Sequence, residues 1–267
     1  MEIWGIIALA ITGSMMGSFM ACQVWRIYYK NQGKKLGARS VCLKCGYQLR
    51  WRDNMPVVSW LMLKGRCRKC GAKIGWMELV AEVGMAIVFG LMGLKFWLEP
   101  VLIGWGNIVL LGILLIMMVI MAGLALYDAK WGEMPTKLLY ASVVVGAIYA
   151  VVKQGYLLVN GELGWAKIWS FLGGVAILAG IYYLLYRVSE EKWVGGGDWI
   201  LCLAISLVLG SWWLALGELL VANLLASVVM LPQLGKRRKI HFAPFLVSGL
   251  VVVLLLQKWL ESLILIS

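Results

Sequence analysis

IVLLGILLIMMVIMAGLALYD, residues 108–128, decides how this chain folds. Ile108 to Tyr127 is an uncharged, mostly apolar run, and it ends on Asp128. As an α-helix rising 1.5 Å per residue, such a run covers about 30 Å, the thickness of a bilayer's hydrocarbon. A carboxylate in a membrane helix costs roughly 2.5 to 3.5 kcal/mol at mid-bilayer and less near the surface, so Asp128 is expected to have a task. A second carboxylate, Asp198, closes the run Gly195-Gly196-Gly197-Asp198 at another helix start. Two such groups meeting at one depth suggest aspartyl hydrolysis.

The rest of the chain has the same character. Hydrophobic residues make up 62% of the 267, and mean hydropathy is +0.86, which excludes a water-soluble globule of this length. The expected fold is an all-α polytopic membrane protein with about eight transmembrane helices, since helices satisfy their own backbone in lipid. The apolar runs place these spans at Ile3–Val24, Met77–Trp97, Ile108–Tyr127, Leu138–Val152, Trp165–Tyr186, Trp199–Trp212, Leu214–Leu231 and Phe242–Leu260. The fourth and sixth are short and read as tilted or re-entrant. Trp97, Trp165, Trp212 and Trp213 sit where interfacial aromatics are expected.

A net charge of +12 raises the possibility of nucleic acid, but its distribution points to a membrane instead. With the N-terminus outside, 21 of the 25 Lys and Arg fall in cytoplasmic loops, 13 of them in residues 25–76 and four in Lys236-Arg237-Arg238-Lys239. Lys95, Lys153, Lys167 and Lys258 remain on the other side. The positive-inside rule therefore puts both termini outside and the basic loops against anionic headgroups. The first apolar run lacks a basic n-region, so it is expected to be a retained helix and not a cleaved signal. The expected organisation is a first transmembrane helix over 1–24, a cytoplasmic four-cysteine loop over 25–76 and a transmembrane core over 77–267.

The loop carries Cys42-Leu-Lys-Cys45 and Cys67-Arg-Lys-Cys70, two CxxC knuckles 21 residues apart. Each knuckle presents two thiolates to one tetrahedral ion, with Gly46 and Gly71 suited to the turn that follows. Lys44, Arg68 and Lys69 would offset the charge of a four-thiolate zinc centre. Two disulfides or four free thiols are the alternatives, and a reducing compartment disfavours the first. A polar segment this short builds little core, so the metal's expected role is structural. Cys22 and Cys202 lie in spans and read as packing residues.

Aspartyl hydrolysis needs one carboxylate ionised to activate water and another protonated to bind the scissile carbonyl. Two carboxyls within a few ångströms cannot both ionise cheaply, so the pair shares a proton. Gly195, Gly196 and Gly197 let backbone or substrate approach closely, and Asp198 gains from a helix N-terminus. Asp128 opens Asp-Ala-Lys-Trp-Gly-Glu-Met-Pro135, in which Pro135 starts the next helix. On spacing alone, an equal reading makes both aspartates ordinary helix caps in solvated loops.

In ordered company, these residues resemble the type IV prepilin peptidases, bifunctional enzymes with a GxGD aspartyl site. The resemblance runs through Gly17-Ser18-Phe19 with Arg26, then Cys42-x-x-Cys45-Gly46 and Met55-Pro56-Val57-Val58-Ser59-Trp60-Leu61. It continues through Lys64-Gly65-Arg66-Cys67-x-x-Cys70 and Ile74-Gly75-Trp76 leading to Glu82. Asp128 with Pro135, Gly195 to Asp198, and Ile240-His241-Phe242-Ala243-Pro244-Phe245 complete it. The resemblance implies cleavage of a basic prepilin or pseudopilin leader, typically after Gly, at the cytoplasmic membrane face. The new N-terminus, often Phe, is then methylated from S-adenosylmethionine. It further implies that Asp128 and Asp198 are the catalytic pair, supported by Gly195, Gly197 and Pro135, and that the four cysteines hold the metal.

The chain departs from the family pattern at Thr136, Ile200 and Ala21, none of which removes a catalytic carboxylate. Glu82 reads as a residue that binds the new α-amine or assists methyl transfer, or equally as a helix-end carboxylate paired with a nearby cation. Glu78, one turn earlier, shares the ambiguity. His241, the only histidine, reads as a surface residue, and Lys236 to Lys239 as a topology anchor. No glycine-rich nucleotide fingerprint follows a predicted strand, so a methyl donor is expected among loops and helix ends, near the metal loop. The alternatives are a non-enzymatic membrane scaffold or transporter subunit with a zinc-ribbon docking loop, and a peptidase without methyl transfer.

Overall fold

A computed structural model describes residues 3–34, 37, 39–101, 104–191, 193–231 and 241–265. It is all helical, with two isolated β-bridges and no longer strand among the described residues. The chain divides into two compact units, Met1–Trp97 and Leu98–Ser267.

The first unit is built on α1 (Ile3–Asn31) and α3 (Trp76–Leu98), with the short α2 (Val58–Met62) in the segment between them. α1 runs on past the expected end at Val24 because polar Tyr28, Tyr29 and Lys30 continue a helix outside hydrocarbon as readily as within it. The two long helices meet through Gly13 and Gly17, a small-xxx-small pair. A methyl group at either glycine would strike the backbone carbonyl of Met85 or Ala81. From this crossing toward the C-terminal end of α3, Met85, Phe89, Met92 and Phe96 bury one face at helical spacing.

The second unit contains α4 (Trp105–Trp131), α5 (Thr136–Val159), α6 (Trp165–Ser189), α7 (Gly196–Leu209), α8 (Trp212–Met230), α9 (Ala243–Leu255) and α10 (Gln257–Leu265). α7 packs against α5 and α6, α4 against α5 and α9, and α8 against α6 and α9. Among the described residues six helices are long and apolar enough to cross a membrane, and α7 and α9 are shorter apolar helices. Together they account for the eight expected apolar segments.

The fourth, sixth and eighth segments also differ from the sequence expectation. The fourth segment is a full 24-residue helix, because Lys153 and Gln154 end the apolar run without ending the helix. The sixth keeps its expected length but is shifted toward the N-terminus, with Trp212 opening α8 and Ser211 capping it by accepting the Leu214 N–H at 3.4 Å. At 14 residues α7 rises about 21 Å, less than a bilayer's core, and it is sheathed by protein: Leu201, Cys202, Ala204, Ile205, Val208 and Leu209 are all buried. The eighth breaks at Leu256 into α9 and α10. Lys192 and the tract Lys236 to Ile240 lie outside the described residues.

Candidate active site and metal centre

Asp128 sits on the last turn of α4, which Gly132 closes in a left-handed conformation by donating its N–H to the Asp128 carbonyl at 2.7 Å. The carboxylate is buried. A position this near a helix C-terminus disfavours negative charge, and the compensation comes from another helix. Ala243, the first residue of α9, donates its N–H to Asp128 Oδ2 at 3.1 Å, so the side chain caps a helix start 115 positions away. His241 Nδ1 lies 3.8 Å from Asp128 Oδ1, and that nitrogen is buried although the side chain is 34% exposed. His241 is thus no plain surface residue.

Asp198 occupies the first turn of α7, also buried, and its Oδ2 accepts the N–H of Gly195 at 3.0 Å. The glycine before it is a close approach. A Cβ on Gly197 would sit 2.8 Å from Met134 Cε and 3.3 Å from Leu139 Cδ1. Met134 belongs to the short α4–α5 connection that follows Asp128, and buried Pro135 leads into α5. The start of α7 therefore rests on the connection leaving α4, and both aspartates lie at the same end of the second unit. Each has one oxygen tied to the opening N–H groups of a helix.

The first unit holds the other constellation. Cys42, Cys45, Cys67 and Cys70 bring their sulfurs within 4.8 Å of one another. The knuckles are near copies: Cys42 and Cys67 each donate N–H to the residue five on, at 2.8 Å, and Gly46 and Gly71 each return N–H to the first cysteine at 2.9 Å. Both glycines have φ near +70°, at +69° and +67°, which a side chain would resist. Cys42 and Cys70 Sγ stand 3.8 Å apart, close to the roughly 3.8 Å edge of a tetrahedron with 2.3 Å zinc–sulfur bonds. No cysteine is disulfide-bonded. Burial opposes ionisation of Cys42, yet the N–H groups of Cys45 and Lys44 and the neighbouring thiols draw it down to about 7. At Cys45 the Tyr47 N–H favours the thiolate, but burial and the competing sulfurs of Cys70, Cys42 and Cys67 push it up to about 11. A soft, closed four-sulfur set of this size fits zinc.

Asp53 ties the knuckles together. Its carboxylate accepts Arg68 Nε at 2.7 Å and Arg50 N–H at 3.1 Å. Burial opposes its charge, but these donors hold it below the ordinary carboxylate range. Glu82 of α3 is buried as well, and its Oε2 accepts the N–H of Val57 at 2.7 Å. Val57 is a β-branched residue at φ +63°, a backbone state that persists only where its surroundings hold it.

Comparison with known proteins follows this division. Residues 11–96 match the model described as Bacterial Peptidase A24 N-terminal domain, and residues 113–233 match Type IV leader peptidase family. The chain belongs to the type IV leader peptidase family. Among its relatives is a prepilin leader peptidase/N-methyltransferase of Vibrio cholerae, 29% identical over 79% of each chain. Another enzyme of that name, from Pectobacterium carotovorum, is 27% identical over 92% of this chain and 91% of its own. A type 4 prepilin-like proteins leader peptide-processing enzyme of Escherichia coli is 29% identical over 92% of each. No solved structure matches. The chain is thus a multi-pass membrane peptidase, and the non-enzymatic reading is set aside.

The two matched segments fall one in each unit. Ala243 and His241 lie beyond both, and sequence reasoning gave neither a part in the site. The signal available was the His241-Phe242-Ala243-Pro244 string itself, where a proline near a helix start leaves an N–H open to a capping acid.

Proposed function

We propose that this leader peptidase cleaves the basic leader of type IV prepilins or pseudopilins by an Asp128–Asp198 dyad and then N-methylates the new terminus. The observation that carries the first half is the pair of buried aspartates at one end of the second unit, each oriented by helix-start N–H groups. One carboxylate takes a proton from water as its oxygen attacks the scissile carbonyl. The other donates its proton to the carbonyl oxygen, and collapse returns a proton to the leaving amine. Ala243 N–H and Gly195 N–H fix the two carboxylate planes. Gly195 and Gly197 keep the approach narrow, and Pro135 sets the turn beside it.

The topology in this reading puts the metal loop and both aspartates on the cytoplasmic side and both termini outside. The basic loops lie against anionic headgroups, no nucleic acid is involved, and the pilin's apolar segment stays in the bilayer among the spans. Zinc on the four cysteines is structural. S-adenosylmethionine supplies an electrophilic methyl group when bound, and Glu82 is the residue assigned to methyl transfer. Asp128→Asn and Asp198→Asn should each abolish prepilin cleavage in membranes that contain wild-type amounts of enzyme. Cleavage retained by either variant overturns the dyad.

A further inference from the structure

One face of α6 brackets Asp198. Tyr183 and Tyr186, three positions apart on that helix and so on the same side of it, reach residues before and after the aspartate. The Tyr183 ring meets Trp199, the residue after Asp198, edge-on with centroids 5.3 Å apart. The Tyr186 ring lies over Gly196, where a Cβ would come 3.3 Å from Cε2. Met134 and Leu139 press on Gly197 in the same way, so the turn that carries Asp198 is held by α6 and by the start of α5 with its preceding connection. The glycines let both contacts close.

Tyr186 is itself tied down by the connection that follows it. Its hydroxyl donates to Glu191 Oε1 at 2.8 Å, and its carbonyl accepts the N–H groups of Glu190 and, at 3.3 Å, of Glu191. To make these bonds both glutamates take up left-handed backbone, with φ +49° and +66°. They are the only two adjacent non-glycine residues in that state among the described residues, and such a state persists only where its surroundings over-determine it. Buried Ser189 steadies the turn further by accepting the Trp193 N–H at 3.3 Å. A tyrosine held through both its carbonyl and its phenol stays on Gly196. We propose that Tyr186 and Glu191 form a latch that positions Asp198 for peptide cleavage. Both are positioning residues, acting through the first turn of α7, where the Gly195 N–H meets the Asp198 carboxylate. The inference rests on the aspartyl half of the proposed function.

Glu191 is also an exposed acid, so the test must separate its hydrogen bond from its charge. In full-length enzyme at matched abundance, Tyr186→Phe keeps the ring and loses the hydroxyl. It should lower kcat for prepilin cleavage about fivefold, as loss of one hydrogen bond does, with KM unchanged within about twofold. Glu191→Ala should match it, and the double variant should be no slower than either, because each substitution breaks the same bond. Glu191→Gln keeps an acceptor without the charge and should recover most of the rate. A general loss of stability would instead multiply in the double variant. Wild-type kcat in Tyr186→Phe, multiplied losses, or Glu191→Gln as slow as Glu191→Ala overturns the latch. So does a raised KM with unchanged kcat in Glu191→Gln, which would make Glu191 a contact for the basic leader. Asp198→Asn, assayed alongside, tells which claim has failed. If that variant cleaves, the dyad falls; if it is inactive while Tyr186→Phe is as fast as wild type, only the latch falls.

Discussion

Replacing Gly17 by alanine should separate the two activities. The added Cβ falls on the Ala81 carbonyl, 2.8 Å from its carbon and 2.9 Å from Glu82 Cα. All of these are backbone atoms, so none can swing aside. Carbon atoms rest about 3.5 Å apart or more, so α1 and α3 must part by roughly 0.6 to 0.7 Å. Overpacking of this kind costs about 1 to 3 kcal/mol. One of the atoms struck, a Cα, belongs to Glu82, the residue assigned to methyl transfer, and misplacement by about 1 Å costs a reacting group on the order of 100-fold. Methylation should therefore fall by about 10- to 100-fold. The aspartates belong to the other compact unit, and prepilin cleavage should stay within about twofold. Both are read from one preparation, cleavage by the mobility shift of prepilin and methylation by label on mature pilin. Parallel loss of both activities, or methylation at the wild-type rate, would refute the reasoning.

Three further outcomes are expected. Cys42→Ser should lose its metal by elemental analysis, because one thiolate of a closed four-sulfur set cannot be replaced by a neutral hydroxyl. Asp53→Ala should weaken metal retention about 10- to 100-fold in chelator competition, as loss of an outer partner does. Since the Asp53 carboxyl is held below its ordinary value, its contribution is complete above about pH 4. It fades as pH falls through the lowered folded value, so the ratio of wild-type to variant affinity should be flat from pH 6 to 8. His241→Ala should lower kcat for cleavage by about tenfold with little change in KM, and His241→Asn, which keeps a donor near Asp128 Oδ1, should recover part of it. Equal loss in both variants would leave His241 without a positioning role.

Local chemistry was the most legible part of the sequence. Two Cys-x-x-Cys-Gly strings predict two like turns, and the turns form with matching hydrogen bonds and matching glycine φ values. Apolar runs likewise located each long apolar helix among the described residues, because transfer into lipid is read residue by residue. What stayed hidden depends on neighbours distant in sequence. The length of α7 is tolerable only because α5 and α6 cover it. The spacing of Gly13 and Gly17 becomes meaningful once Met85 and Ala81 are found against them. Glu218, in an apolar stretch that reads as simple span, is fully buried beside Gly249 of α9, a pairing no hydropathy window detects.

His241 shows the same limit at the candidate active site, and it bears on which residues make that site complete. The matched peptidase segment ends at residue 233 and contains both aspartates, so it suggests a self-sufficient catalytic core. The geometry argues otherwise. Asp128 lies where α4 presents the negative end of its dipole, and the compensating N–H comes from Ala243 at the start of α9. Without that helix start, a buried carboxylate would lose a charge-assisted hydrogen bond, which is worth about 1.5 to 3 kcal/mol, along with the nearby imidazole. Asp198 has an anchor on its own helix through Gly195. The two members of the dyad are therefore held by different means. One is anchored within its local sequence and the other by tertiary packing of α9 on α4, so substitutions at the α4–α9 contact should reach catalysis first through Asp128.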